Sequence, residues 1–160
     1  MQHAHGVIPN RESGYCADDV ARLTIVALEL ARRYGEQPWN TILYRSLAFL
    51  HAATDQGGGG MRNFMSYERR WRDEPHLGDH VGRSIWALGE VLSTAWAPAV
   101  VGPARALLTA LVGSVRNDVS LRTAAYTVLG LARLDADRLD LKARSLLERL
   151  VEQLAAAHAS

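Results

Sequence analysis

The chain has 160 residues, 48% of them hydrophobic, and a formal net charge of +1. That is enough apolar content for one buried core and too little charge bias to drive binding to nucleic acid or to an anionic membrane. The single cysteine, Cys16, excludes an intramolecular disulfide and fits a reducing, cytoplasmic compartment.

Residues 1–17 read as a leading loop, with His3, His5, Pro9, Asn10 and two glycines. Met1 to Gly6 carries no basic run ahead of an apolar core, so no signal peptide is read there. Asp18 or Asp19 then caps a first helix running to about Tyr34. Val20, Leu23, Ala27, Leu30 and Ala31 give it one apolar face, and Gly35 stands where a C-terminal cap belongs. A second helix runs from about Pro38 to Thr54, with Ile42, Leu43, Leu47, Phe49 and Leu50 on its buried side. The short link makes the two an antiparallel pair.

Helical periodicity stops over residues 55–78, a long loop that opens on Gly57 to Gly60 and continues through aromatic and Arg-rich sequence. A loop of that length in a compact domain is functional or disordered, and its aromatic content argues for order. Further helices are expected from about Asp79 to Thr94, Gly102 to Val115, Val119 to Leu134, and Asp137 to Ala156. The region from Ile85 to Val115 is too interrupted, by Glu90, Pro98, Pro103 and Arg105, to be a membrane span. No segment alternates long enough to be a strand. The fold class is therefore all-α: one domain over 1–160, built of three antiparallel helical hairpins. The first, third and fifth helices form an inner set that is apolar around its circumference, as in the run Ala124 to Leu134.

An internal repeat supports the hairpins. Asp18–Arg22, Asp79–Arg83 and Asp118–Arg122 each place an Asp four residues before an Arg at the start of a helix. The same spacing suits a helix cap with a salt bridge one turn on, and it also stacks charge at equivalent ends of three helices.

Three segments carry a family resemblance: Gly14-Tyr15-Cys16-Ala17-Asp18-Asp19-Val20-Ala21-Arg22, Arg62-Asn63-Phe64-Met65-Ser66-Tyr67-Glu68-Arg69-Arg70-Trp71, and Gly82-Arg83-Ser84-Ile85-Trp86-Ala87-Leu88-Gly89. In this order, after the lead-in Ile8-Pro9-Asn10-Arg11, they resemble a bacterial six-hairpin glycosidase-like domain. That domain is often fused behind, or itself described as, a glycosyltransferase. Val20, Glu68 and the stretch Leu77 to Val81 differ from the family pattern. The resemblance implies an (α/α)₆ toroid, of which a chain of this length spans about the first half, since each hairpin takes roughly forty residues. It further implies a carbohydrate-active domain that acts on or binds glycans. The alternative is a non-catalytic structural or partner-binding half-toroid. The expected partners are a glycan or sugar, a glycosyltransferase, or a second copy completing the six hairpins over an exposed apolar flank.

Glycoside chemistry needs two carboxyl groups flanking the scissile bond. The catalytic candidates are Asp18, Asp19, Glu68 and Asp79. Helix N-termini lower a carboxyl pKa, so Asp18 and Asp79 suit a base or a hydroxyl acceptor. Glu68, among aromatics, is the acid if desolvated. Tyr15, Tyr67, Trp71 and Trp86 suit sugar faces; Arg62, Asn63, Arg69 and Arg70 suit hydroxyls or a phosphate, and His80 and Arg83 join them as substrate-binding candidates. Arg62 and Arg70 are equally suited to tying the loop down, as by Arg70 with Asp73 or Glu74, and Trp86 reads better as a core residue. Cys16 precedes a helix N-terminus, which lowers a thiol pKa, yet reads better as a small packing residue. His76 and His80 lack the further ligands of a zinc site, and no metal or cofactor is expected.

Overall fold

The computed structural model describes residues 3–57, 59–94, 98–116 and 118–159. Parts of the expected glycine run and of two expected helix breaks, namely Gly58, Ala97 and Asn117, lie outside them. Six α-helices dominate the described residues: α1 (Ala17–Tyr34), α2 (Trp39–Ala53), α3 (Asp79–Ser93), α4 (Pro98–Ser114), α5 (Leu121–Leu131) and α6 (Leu141–His158). None of the helices is long and apolar enough to cross a membrane.

The helices pair in chain order, α1 with α2, α3 with α4, and α5 with α6. Helix α3 lies between α1 and α5, while α4 touches both α2 and α6. The result is two layers, with α1, α3 and α5 in one and α2, α4 and α6 in the other. Their shared core is apolar, with Leu43, Leu50, Met61, Ile85, Leu88, Leu111, Leu131 and Leu150 fully enclosed.

Helix α1 buries Ala17, Ala21, Thr24, Leu28 and Ala31, the three- and four-residue spacing of a single helical face. Central α3 is enclosed on nearly every side; even His80 and Arg83 are buried. Helix α5 departs from the expected all-round burial. Thr123, Ala124, Thr127, Gly130 and Leu131 face inward, but Leu129 stays exposed, because α3 covers α5 on one side only. Helix α4 begins at Pro98, earlier than expected, since a proline needs no N–H partner in a first turn.

Contact between α3 and α5 is backbone-close. A Cβ on Gly89 would meet the Gly130 carbonyl oxygen, and one on Gly130 would lie 2.6 Å from the Trp86 Cα. Gly82 and Gly89, seven residues apart, fall on one face of α3, which explains both glycines of that segment.

Short strands, not expected from the sequence, order the two loops. Strands β1 (Ala4–His5) and β2 (Ile8–Pro9) form a hairpin. Strand β3 (Tyr15–Cys16) pairs antiparallel with β4 (Phe64–Met65), so the leading loop is bound to the long loop. Single bridges from Met61 to Thr54 and to His76 close the base of that long loop.

Candidate functional site

A polar cleft of about 460 Å³ opens at the N-terminal ends of the first layer. Of the residues expected to form a site, it gathers Asp18, Asn63, Asp79, His80 and Arg83. Arg22, His76 and Arg122 complete its polar side-chain lining.

Asp73 begins the hydrogen-bond order of the cleft. Its carboxylate accepts from the backbone N–H of Asn63 at 2.7 Å and of Phe64 at 3.0 Å. Asn63, held in place, then caps α1 from 45 residues away. Its backbone oxygen accepts from Ala17 N–H, and its side-chain oxygen from Asp18 N–H and from the Cys16 thiol. Asp18 and Asp19 are therefore first-turn residues and do not cap the helix; Cys16 occupies the cap position and makes no side-chain cap bond. Burial pushes the Cys16 thiol pKa up, against the expected depression, which leaves it a packing residue.

Freed from capping, Asp18 turns to the neighbouring helix. Arg83 of α3 donates to it, and Arg22 pairs with it at 3.1 Å. The side chains of Arg83 and Asp18 are only 11% and 17% exposed. Arg83 also donates to the Tyr126 hydroxyl at 2.9 Å, and its guanidinium lies 4.5 Å from the centre of that ring. Asp79 likewise fails to cap its own helix, whose cap position is Gly78. It reaches α5 instead and accepts from Ser120, Thr123 and Arg122. Burial would raise the Asp79 pKa, but these three donors outweigh it and hold the carboxyl below 3.8.

The Asp–Arg repeat is thus a cross-helix device: Arg83 of α3 pairs with Asp18 of α1, and Arg122 of α5 with Asp79 of α3. Only Asp18–Arg22 also pairs within its helix. The third copy is out of step. Ser120 caps α5 by accepting from Thr123 N–H, which leaves Asp118 exposed and outside the helix. Arg122 is the second residue of α5, as Asp18 is of α1, and Tyr126 takes the level held by Arg22 and Arg83. Tyr126 was not among the expected residues. Counting from Ser120 as the cap would have found it.

The remaining candidates lie elsewhere. Asp19 pairs with Arg22 alone. Tyr15 stacks on Tyr67 at 6.2 Å beneath Arg11, and Trp71 packs edge-on against Phe49 at 5.5 Å. These aromatics bind the loops together and do not line the cleft. Arg62 approaches Glu74 at 3.6 Å, while Asp73 is occupied by backbone N–H groups, so of the two readings of Arg70 the pair with Asp73 or Glu74 is not the one formed. Glu68 is exposed, and hydrogen bonds from its own backbone and from Ser66 push its pKa down, the opposite of a general acid. Among the described residues, no group of three or more His, Cys, Asp or Glu side chains is placed to hold a metal ion.

His80 shares a hydrogen bond of 2.9 Å with the Met61 carbonyl, which fixes Nε2 as the N–H donor. Burial, the largest influence, pushes its pKa below 6.5, and the neighbouring His76 ring, 4.5 Å away and tilted by 53°, adds to the effect. The unfolded chain takes up this proton on passing below 6.5 and the folded chain does not. Stability is therefore full above that value and falls as the pH drops through the depressed folded pKa. Thermal melts of His80→Gln, which keeps an N–H donor for Met61, are expected to lose less stability than wild type between about pH 6.5 and pH 5. Equal slopes would remove His80 as the titrating group.

No protein-family model matches the chain, and no curated protein matches it.

Proposed function

We propose that the chain is a glycan-binding domain with the architecture of half an (α/α)₆ toroid, α1, α3 and α5 forming the inner wall. One observation carries this reading: residues from three distant segments, 16–22, 63–64 and 76–83, converge on a single polar cleft at the ends of the inner helices. Its carboxylates and guanidinium groups offer paired acceptors and donors, the recognition chemistry of vicinal hydroxyls.

Binding is favoured over bond cleavage. Asp18 is ion-paired to two arginines, and Asp79 and Glu68 are held towards the charged form. Asp79 and Glu68 therefore do not supply the protonated carboxyl that departure of a glycosidic oxygen requires, and Asp18 is committed to its two arginines. A role in turnover belongs to a larger assembly, with a glycosyltransferase or a second copy contributing the acid. Exposed Leu23 and Val26 on α1, with Leu121 and Leu129 on α5, favour one second copy that covers both flanks, which would complete six hairpins. A monomeric mass in light scattering at micromolar concentration would remove that part of the reading.

Arg122 lines the cleft, with its side chain 68% exposed. Calorimetric titration with a glycan found on an oligosaccharide array is expected to show about ten-fold weaker binding for Arg122→Ala, as for loss of one charge-assisted hydrogen bond. Unchanged affinity would take the glycan out of this cleft.

A further inference from the structure

The open face of the first layer carries a second cleft, of about 480 Å³, towards the C-terminal halves of α1 and α3. Glu29, Trp86, Glu90 and Arg133 are prominent in its lining. We propose that it is a second subsite, continuous with the first, and that the ligand is an extended, uncharged oligosaccharide lying along α3. This rests on the glycan reading above and adds the length and charge class of the ligand.

Three observations lead there. The first is pre-organisation. One Glu90 oxygen accepts from the Trp86 indole N–H at 3.0 Å and from Arg133 at 2.7 Å, and the carboxylate is only 16% exposed. The Trp86 ring is fixed further by parallel stacking on Tyr126, 5.9 Å away and tilted by 8°. An aromatic plane held at both its polar and its apolar side binds a sugar face with little loss of entropy.

The second is continuity. Tyr126 carries Trp86 on one contact and the Arg83 guanidinium on another, so one ladder joins the two clefts. Arg83 and Glu90 stand seven residues apart on α3, which is two turns on the same face and roughly 10 Å along the axis. A single sugar ring does not cover that distance, whereas a short oligosaccharide does.

The third is charge. Asp18, Asp19 and Asp79 in and beside the first cleft are matched by Arg22, Arg83 and Arg122. Glu29 and Glu90 in the second are matched by Arg32 and Arg133. Every guanidinium already has its carboxylate, so neither cleft offers unbalanced charge to a uronate, a sulfated sugar or a nucleotide sugar. Both offer alternating donors and acceptors to hydroxyls.

The test is isothermal titration of the full chain with malto-, cello-, xylo- and chito-oligosaccharides, mono- to hexasaccharide. Affinity for one series is expected to rise about ten-fold or more between monosaccharide and tetrasaccharide. Trp86→Ala and Glu29→Ala are expected to abolish most of that gain while leaving monosaccharide affinity within about two-fold. Glu29 is an exposed side chain, so its truncation spares the fold and keeps the test decisive if the Trp86 variant unfolds. Affinity that does not grow with length, or a gain untouched by either variant, overturns the second subsite, and monosaccharide binding lost in Arg122→Ala would then preserve the first. Tighter binding of a uronate series such as oligogalacturonate overturns the uncharged assignment. Failure of every sugar to bind overturns this inference together with the glycan reading.

Discussion

Arg83→Met is expected to destabilise the fold by about 3–5 kcal/mol, the cost of leaving a buried charge without its partner. The Asp18 carboxylate would retain only Arg22, whose side chain is 53% exposed. Its Oδ1 is already buried without a hydrogen-bond partner, so it has no second contact to fall back on. The Tyr126 hydroxyl and ring would lose their guanidinium in the same step. For a chain of this size the loss corresponds to a melting temperature lower by roughly 10 °C. Adding Asp18→Leu to Arg83→Met is expected to restore much of the stability, because the buried carboxylate left with only an exposed partner is then gone. Denaturant unfolding of the two single variants and the double variant measures the coupling. An Arg83→Met chain within about 0.5 kcal/mol of wild type would mean that the pair has no energetic role.

That ion pair also marks the limit of what the sequence discloses. Asp-x-x-x-Arg spacing is equally good for a bond within a helix and for two side chains that leave the same face towards a neighbour. Which one forms depends on what lies beside the helix. Arg83 and Arg122 have a preceding inner helix to reach and take it; Arg22 has none and turns back to Asp18 and Asp19. The helices themselves were legible, because apolar residues three and four apart define a face without reference to the rest of the chain. The cap of α1 was not, since Asn63 arrives from a loop 45 residues away. The exposure of Glu68 escapes the sequence for a related reason. Aromatic neighbours in sequence suggested desolvation, yet the turn at Arg69, with φ at 64°, sends the segment to the surface. The register of the third repeat depended on whether Asp118 or Ser120 caps α5, and the hydroxyl bonded to Thr123 N–H decides for Ser120. Asp18, Asn63, Asp79, His80 and Arg83 do meet in one cleft; Tyr126 follows from the sequence once Ser120 is taken as the cap, whereas Glu90 and Arg133 are visible only with α5 set against α3.

Gly130→Ala is expected to cost about 3 kcal/mol, at the upper end of what overpacking by one methyl group does. Most substitutions of glycine by alanine inside a helix stabilise it by roughly 0.5–1 kcal/mol, because the unfolded chain loses freedom. Here the sign reverses. A Cβ at Gly130 would sit 2.4 Å from the Ile85 carbonyl oxygen and 2.6 Å from the Trp86 Cα, and both belong to backbone that cannot swing aside. Helices α3 and α5 must separate, and the seam that encloses Ile85, Leu88 and Leu131 opens with them. Gly102→Ala in α4 is the matched control, since nothing lies within 4 Å of its Cβ position. It should hold or raise the denaturation midpoint while Gly130→Ala lowers it. Equal midpoints would mean that the inner helices are not in backbone contact. The displacement has a second consequence that unfolding does not report. Tyr126 and Arg133 travel with α5, so the stack on Trp86 and the bond to Glu90 loosen together. At temperatures where Gly130→Ala is still folded, it is expected to lose the gain in affinity with oligosaccharide length before it loses monosaccharide binding. The close α3–α5 seam thus sets the stability of the α1–α3–α5 layer and the spacing of the groups along it.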